Sequence, residues 1–142
     1  MAVTLVLGAC SIPHWPAAGR ISSPFGLRMN GLRPDIHHGV DIPLPVGTPV
    51  HAMAAGRVAY SGRMNGYGIV VMVDHGGDVL SVYAHLSEAR VRTGDPVEAR
   101  QVVGLSGATG RVTAPHLHFE VRRDGWPEDP VGLLGGPPPG GG

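Results

Sequence analysis

Glycine and proline set the first limit on what this chain can become: twenty-three Gly and fourteen Pro occur in 142 residues. Inside a helix each Gly costs about 1 kcal/mol and each Pro about 3 kcal/mol relative to alanine, so long helices are opposed and short strands between turns are expected. No apolar stripe at helical spacing stands out. Six runs rich in apolar and β-branched residues lie instead between turn signals, at residues 49–53, 57–61, 69–74, 79–86, 102–106 and 116–122. The spacing therefore predicts an all-β fold of antiparallel sheets. His75-Gly76-Gly77 joins two of the most apolar runs and reads as the connection of a central hairpin.

The length suits one compact domain, placed at residues 21–134. A Pro-containing connector precedes it, and residues 135–142, which are only Gly and Pro, follow it; both ends are expected to be mobile. Within the domain, Gly47-Thr48-Pro49-Val50-His51-Ala52 is echoed by Gly94-Asp95-Pro96-Val97-Glu98-Ala99. Ala59-Tyr60-Ser61-Gly62 is similarly echoed by Gly104-Leu105-Ser106-Gly107. Two similar β-units packed together would produce this pattern, as would ordinary turn-to-strand punctuation.

Eleven acidic and eleven basic residues cancel, so no net charge favours nucleic acid or another polyanion. Every basic residue is Arg, which is neutral for function. A lone cysteine excludes an intramolecular disulfide. Cys10 closes Leu7-Gly8-Ala9-Cys10 directly after an apolar run, a pattern resembling a bacterial lipoprotein signal in which Cys10 becomes lipidated. No segment approaches the roughly 20 apolar residues of a membrane span, so any attachment would run through lipid.

Eight histidines in a chain with only 15% charged residues are the first functional signal, because neutral imidazole binds metals and carries protons near neutral pH. His14 lies in the connector, His51 in a strand with no polar companion and His75 in a turn, so these three read as structural or solvated. His116-Leu117-His118-Phe119-Glu120 differs. Side chains alternate along a strand, so His116 and His118 share one face with backbones about 7 Å apart, one positioned to bind a metal and the other its water. In His37-His38-Gly39-Val40-Asp41 a histidine and a carboxylate lie four apart across a glycine that lets the backbone bend. Parity puts His37, not His38, on the face of Asp41. Two ligands from this segment and one from the His-x-His strand would leave a zinc ion its usual open position for water. In the run 79–86, Leu80, Val82, Ala84 and Leu86 would form one apolar face and His85 would lie opposite, with Tyr83 and Ser81. Glu120 reads equally as a partner orienting a histidine or as a solvated side chain. No His-Glu-x-x-His helix and no Gly-x-Ser-x-Gly elbow is present.

Six blocks carry a resemblance to a known family: Ser23-Pro24-Phe25-Gly26-Leu27-Arg28, His37-His38-Gly39-Val40-Asp41-Ile42, Pro45-Val46-Gly47-Thr48-Pro49-Val50, Tyr83-Ala84-His85-Leu86-Ser87, Gly107-Ala108-Thr109-Gly110 and Pro115-His116-Leu117-His118-Phe119-Glu120. In this order they resemble the lysostaphin-type, or LytM-like, zinc metallopeptidases of bacterial peptidoglycan. The resemblance implies antiparallel sheets forming an open groove, zinc held by His37, Asp41 and His118, and two further catalytic histidines at His85 and His116. It also implies hydrolysis of peptide stems or crosslinks of peptidoglycan in the cell envelope by a monomer. Some members lacking ligands serve only to activate other wall enzymes; here all five side chains are present. Ala114, where a glycine is usual, and His38, where Lys or another polar residue is common, are the departures.

Overall fold

The computed structural model describes residues 12–140; Cys10 and the apolar run before it lie outside the described residues. In chain order the elements are β1 (Gly26–Asn30), β2 (Arg33–His37), β3 (Val40–Pro43), β4 (Pro49–His51), β5 (Gly56–Met64), β6 (Gly68–Asp74), β7 (Val79–Ala89), β8 (Pro96–Val97), β9 (Val102–Ser106), β10 (His116–Arg123), β11 (Trp126–Glu128) and a single-turn helix α1 (Pro130–Leu133). The strands β1 and β2 form a hairpin of their own. All other strands join one sheet whose main path runs β11, β10, β7, β6, β5, β8, with β3 added to β10 and β9 linking β7 to β4. Every pairing is antiparallel. The expected all-β architecture of antiparallel sheets is thus present, and the hairpin expected at residues 75–77 joins β6 to β7.

Both faces of the central strands are covered, which explains why β6 reads as a continuous apolar run rather than an alternating one. On one face Val71, Val73, Tyr83, Leu86, Leu117, Phe119 and Val121 join the main core with Val40 and Ile42 of β3. On the other face Val70, Met72, Val82 and Ala84 form a smaller cluster under Tyr60, Met64, Tyr67 and Leu80. The sequence pattern placed Leu86 with Val82 and Ala84, and the structure corrects this. Between β6 and β7 the register runs Ile69 to Leu86 but Val71 to Tyr83, so β7 carries one extra residue there. That bulge reverses the alternation, returning Leu86 to the main core while Tyr83 and Ser81 stay buried beneath it.

The internal echo corresponds to a crosswise pairing. The first Gly-x-Pro-Val segment forms β4 and pairs with β9 of the second unit, while the second forms β8 and pairs with β5 of the first. Hydrogen bonds repeat in kind: the Gly47 amide donates to the Ser106 carbonyl and the Ser106 amide to Thr48, just as Gly94 donates to Val58 and Val58 to Asp95. Ser106 therefore corresponds to Val58, not to Ser61 as the sequence echo implied.

The described residues of the connector and of the Gly/Pro tail hydrogen-bond to each other and to the domain. Trp15 Nε1 donates to the Gly136 carbonyl at 3.0 Å, the Gly19 amide donates to Pro139 at 2.9 Å, and the His51 amide donates to Pro16. Trp15 also packs on Phe119.

A buried polar chain crosses the main core. His75 Nδ1 lies 2.8 Å from the Ala55 carbonyl and its Nε2 lies 2.7 Å from Ser81 Oγ. Ser81 Oγ is 2.7 Å from the Tyr83 hydroxyl, which accepts from the Met53 amide at 2.8 Å. A carbonyl only accepts, so Nδ1 carries the proton; neutral Nε2 then accepts from Ser81, and Ser81 accepts from Tyr83. The chain has no spare acceptor, and a second proton on His75 would strand one hydroxyl hydrogen. Burial holds the His75 pKa below the ordinary histidine value, against the raising effects of the Ala55 carbonyl and the Asp74 charge. Unfolded chain then binds this proton first, so the His75 contribution to stability declines as pH drops below about 6.5. Histidine ring NMR should accordingly show His75 titrating below that value. Tyr83→Phe, which leaves the buried Met53 amide unsatisfied, should lower the unfolding free energy in urea by about 1–3 kcal/mol.

Candidate metal centre

The register of β10 against β3 sets the site: His118 stands directly opposite Asp41, with Leu117 opposite Ile42 and Phe119 opposite Val40. The apolar pairs enter the core, so alternation turns Asp41 and His118 to the other side. Close approach of the strands depends on Gly39, where a Cβ would lie 2.3 Å from the Phe119 carbonyl oxygen. The glycine therefore serves close contact as well as the bend expected from sequence, which separates β2 from β3. On its outer side Asp41 is held by backbone bonds with Ser22 and Ser23.

His37 ends β2 and is buried, while His38 is exposed. His37 Nδ1 donates to the Pro24 carbonyl at 2.9 Å, which turns Nε2 toward Asp41 Oδ1 at 3.3 Å. His118 Nδ1 approaches the same oxygen at 2.8 Å. One ligand atom from each of His37, Asp41 and His118 thus lies within 4.8 Å of the other two.

The other nitrogen of His118, Nε2, faces Glu120 Oε2 at 2.8 Å. Glu120 is 1% exposed and is bound also by the Tyr67 hydroxyl at 2.7 Å and by Arg122. Burial opposes charge on these groups, yet the mutual hydrogen bonds win: the Glu120 carboxyl falls to about 2 and the His118 imidazole rises to about 9. Asp41 is likewise held well below the usual carboxylate range by His118 and His37, despite its burial. With both nitrogens of His118 aimed at carboxylates, a positive charge belongs between Nδ1 and Asp41. That charge is either a second proton or a cation shared with His37. Two imidazole nitrogens and one carboxylate oxygen form a donor set that suits a divalent metal.

His85 and His116 flank these ligands. His85 lies 4.9 Å from His116 and 5.9 Å from His118 between ring centroids. It shares the site's side of the sheet, not that of Tyr83 and Ser81 as simple alternation implied, because it occupies the β7 bulge with φ 62°. His85 Nδ1 donates to the Thr109 carbonyl at 2.8 Å and His116 Nδ1 to the Ala114 carbonyl at 3.0 Å. Each Nε2 is left without a hydrogen-bond partner among the described residues. Burial, reinforced by the neighbouring His116 and His118, lowers the His85 pKa against the effect of the Thr109 carbonyl, so the ring is neutral near pH 7.

All five histidine and aspartate side chains border one cleft of about 880 Å³, which Arg28, Tyr67 and Arg111 also line. His14, His51 and His75 do not line it. Tyr67 and Arg122 were missed in the sequence. For Arg122 the signal was present, since it follows His118 and Glu120 at alternate positions of β10. Tyr67 lies in a turn between two glycines, where no periodicity marks it.

The peptidase family M23 model matches residues 35–130. The chain is 46% identical over 116 residues to "DD-carboxypeptidase/endopeptidase Mpg" of Neisseria meningitidis serogroup B, covering 80% of this chain and 27% of that protein. It is 40% identical over 99 residues to lysostaphin of Staphylococcus simulans, covering 68% of this chain and 20% of that protein. The chain thus spans about a quarter or less of the length of these curated relatives. A zinc-containing peptidase from Vibrio cholerae superposes with a TM-score of 0.76 at 32% identity, over 86% of this chain and 38% of that one. A family match across most of the domain, with relatives at this level of identity, shows that the chain belongs to peptidase family M23.

Proposed function

We propose that this protein is a zinc-dependent endopeptidase that hydrolyses peptide stems or crosslinks of bacterial peptidoglycan in the cell envelope. The observation that carries the reading is the convergence of His37, Asp41 and His118 beside His85 and His116 in one open cleft. His37 Nε2, Asp41 Oδ1 and His118 Nδ1 are the ligand atoms. Zinc held by them would polarise a scissile carbonyl and bring the pKa of water toward neutrality.

The remaining work falls to side chains of this protein. His85 and His116 present Nε2 while a backbone carbonyl holds the Nδ1 proton of each. Between them they take a proton from the attacking water, stabilise charge on the former carbonyl oxygen and return a proton to the departing amine. Glu120 keeps His118 oriented with Nδ1 toward Asp41, a carboxylate–histidine arrangement that strengthens a ligand. The substrate class is supported by the names of the similar Mpg and lysostaphin proteins. The same reading includes a monomeric enzyme, with Cys10 as the site of lipid attachment.

Zymography on purified peptidoglycan, with mass spectrometry of the released muropeptides, tests the activity and names the bond. A chelator should abolish cleavage and added zinc should restore it. His37→Ala should lose both bound zinc and hydrolysis. His85→Ala should keep its zinc, measured by elemental analysis, while the rate falls by about 10²–10⁴, the share of a positioned proton carrier. Hydrolysis surviving in His37→Ala, or an undiminished rate in His85→Ala, would overturn these roles.

A further inference from the structure

Thr109 belongs to no strand, yet it is tied to two of them and to His85. Its Oγ1 accepts from the Ile69 amide at 3.0 Å and donates to the Leu86 carbonyl at 2.5 Å. Ile69 and Leu86 are cross-strand partners of β6 and β7 at the edge of the bulge, so the hydroxyl stands between the strands and bonds to both. The carbonyl of the same residue accepts the Nδ1 proton of His85. Beside it the backbones of Gly110 and Gly68 touch: a Cβ on Gly110 would lie 2.5 Å from the Gly68 amide nitrogen. The Arg111 amide closes the loop onto the Gly66 carbonyl.

His85 itself sits in the left-handed region, which is strained for a residue with a side chain and persists only where the surroundings enforce it. Its amide is held by the Tyr67 carbonyl at 2.8 Å, and its successor Leu86 is held by Thr109. The ring could otherwise carry its proton on either nitrogen, because no carboxylate hydrogen-bonds to it. Only the Thr109 carbonyl selects between the two forms.

The geometry points to Thr109 as the positioning residue of His85: its hydroxyl braces the bulge, and its carbonyl thereby keeps the imidazole as the Nδ1–H tautomer with Nε2 directed to the cleft. Threonine is suited to this because one residue supplies a donor and an acceptor to two strands while its carbonyl serves a third group. The kinetic consequence rests on the role proposed above for His85; the tautomer does not.

The test uses the zinc-loaded full chain and two variants, Thr109→Val, which keeps the shape without the hydroxyl, and Thr109→Ser, which keeps the hydroxyl. Long-range ¹H–¹⁵N spectra of the histidine rings report the tautomer, and turnover of a crosslinked muropeptide reports kcat and KM. In the wild type His85 should be the Nδ1–H form. The valine variant should show a mixture of tautomers and a kcat at least about tenfold lower, part of the ~10²–10⁴ expected of a proton carrier. Its KM should stay within about twofold and its zinc content should not change. Serine should restore the tautomer and most of kcat. A wild-type ring protonated on Nε2 would overturn the proposal even if the valine variant failed to fold. So would a valine variant with wild-type tautomer and kcat, or a serine variant as impaired as valine. A wild type that cleaves nothing would sink the proposed function alone, since the ring spectra would still decide the tautomer.

Discussion

The pairing of β3 with β10 is the constraint from which the rest of the site follows. One register places Val40, Ile42, Leu117 and Phe119 in the core and, by alternation, Asp41 and His118 together on the other face. A slip of one residue would exchange these sets and bury the polar groups among apolar ones. The hydrophobic effect therefore fixes the position of the ligands: burial of four large side chains in one core defines where the charged pair must stand. Gly39 makes the approach possible, and the Ser22–Ser23 backbone closes the far edge of β3.

Around this pairing the site is built so that each ring has one nitrogen committed to the scaffold. His37, His85 and His116 each spend Nδ1 on a backbone carbonyl, whereas His118 spends Nε2 on Glu120. A carbonyl can accept but never donate, so it fixes a tautomer without adding charge. A carboxylate fixes orientation and adds charge, which suits a ring that must share a cation with Asp41. What lies behind His118 thus sets it apart from the three chemically identical rings that are held by carbonyls.

Much of this was legible in the sequence, and the failures have specific causes. The Gly and Pro content announced the absence of long helices among the described residues, and the parity argument for His116 with His118 holds because both lie in the regular strand β10; His37 instead reaches Asp41 across the break between β2 and β3, where strand parity does not apply. His85 was assigned the wrong face because alternation was carried through residues 79–86, and a bulge carries no signal in side-chain polarity. Glu120 could not be distinguished from a surface residue, since its burial depends on Tyr67 and Arg122 arriving from other parts of the fold. The strands β1, β2 and β3 were not foreseen as strands: the runs are short, and the first two form a hairpin apart from the main sheet whose apolar Leu27, Met29 and Ile36 are exposed. The contacts that Trp15, Gly19 and Pro139 make were not legible in the connector and tail, because backbone hydrogen bonds leave no mark in side-chain composition.

The bonding of Gly19 to Pro139 brings the point where the chain enters the domain beside the point where it leaves. A fold with adjoining entrance and exit behaves as a bead: it can be threaded into a larger polypeptide, or reopened at another surface loop with its old ends fused, without pulling on the sheet. The cleft, shaped by strand pairings away from that junction, would keep its form when other sequence is spliced on there.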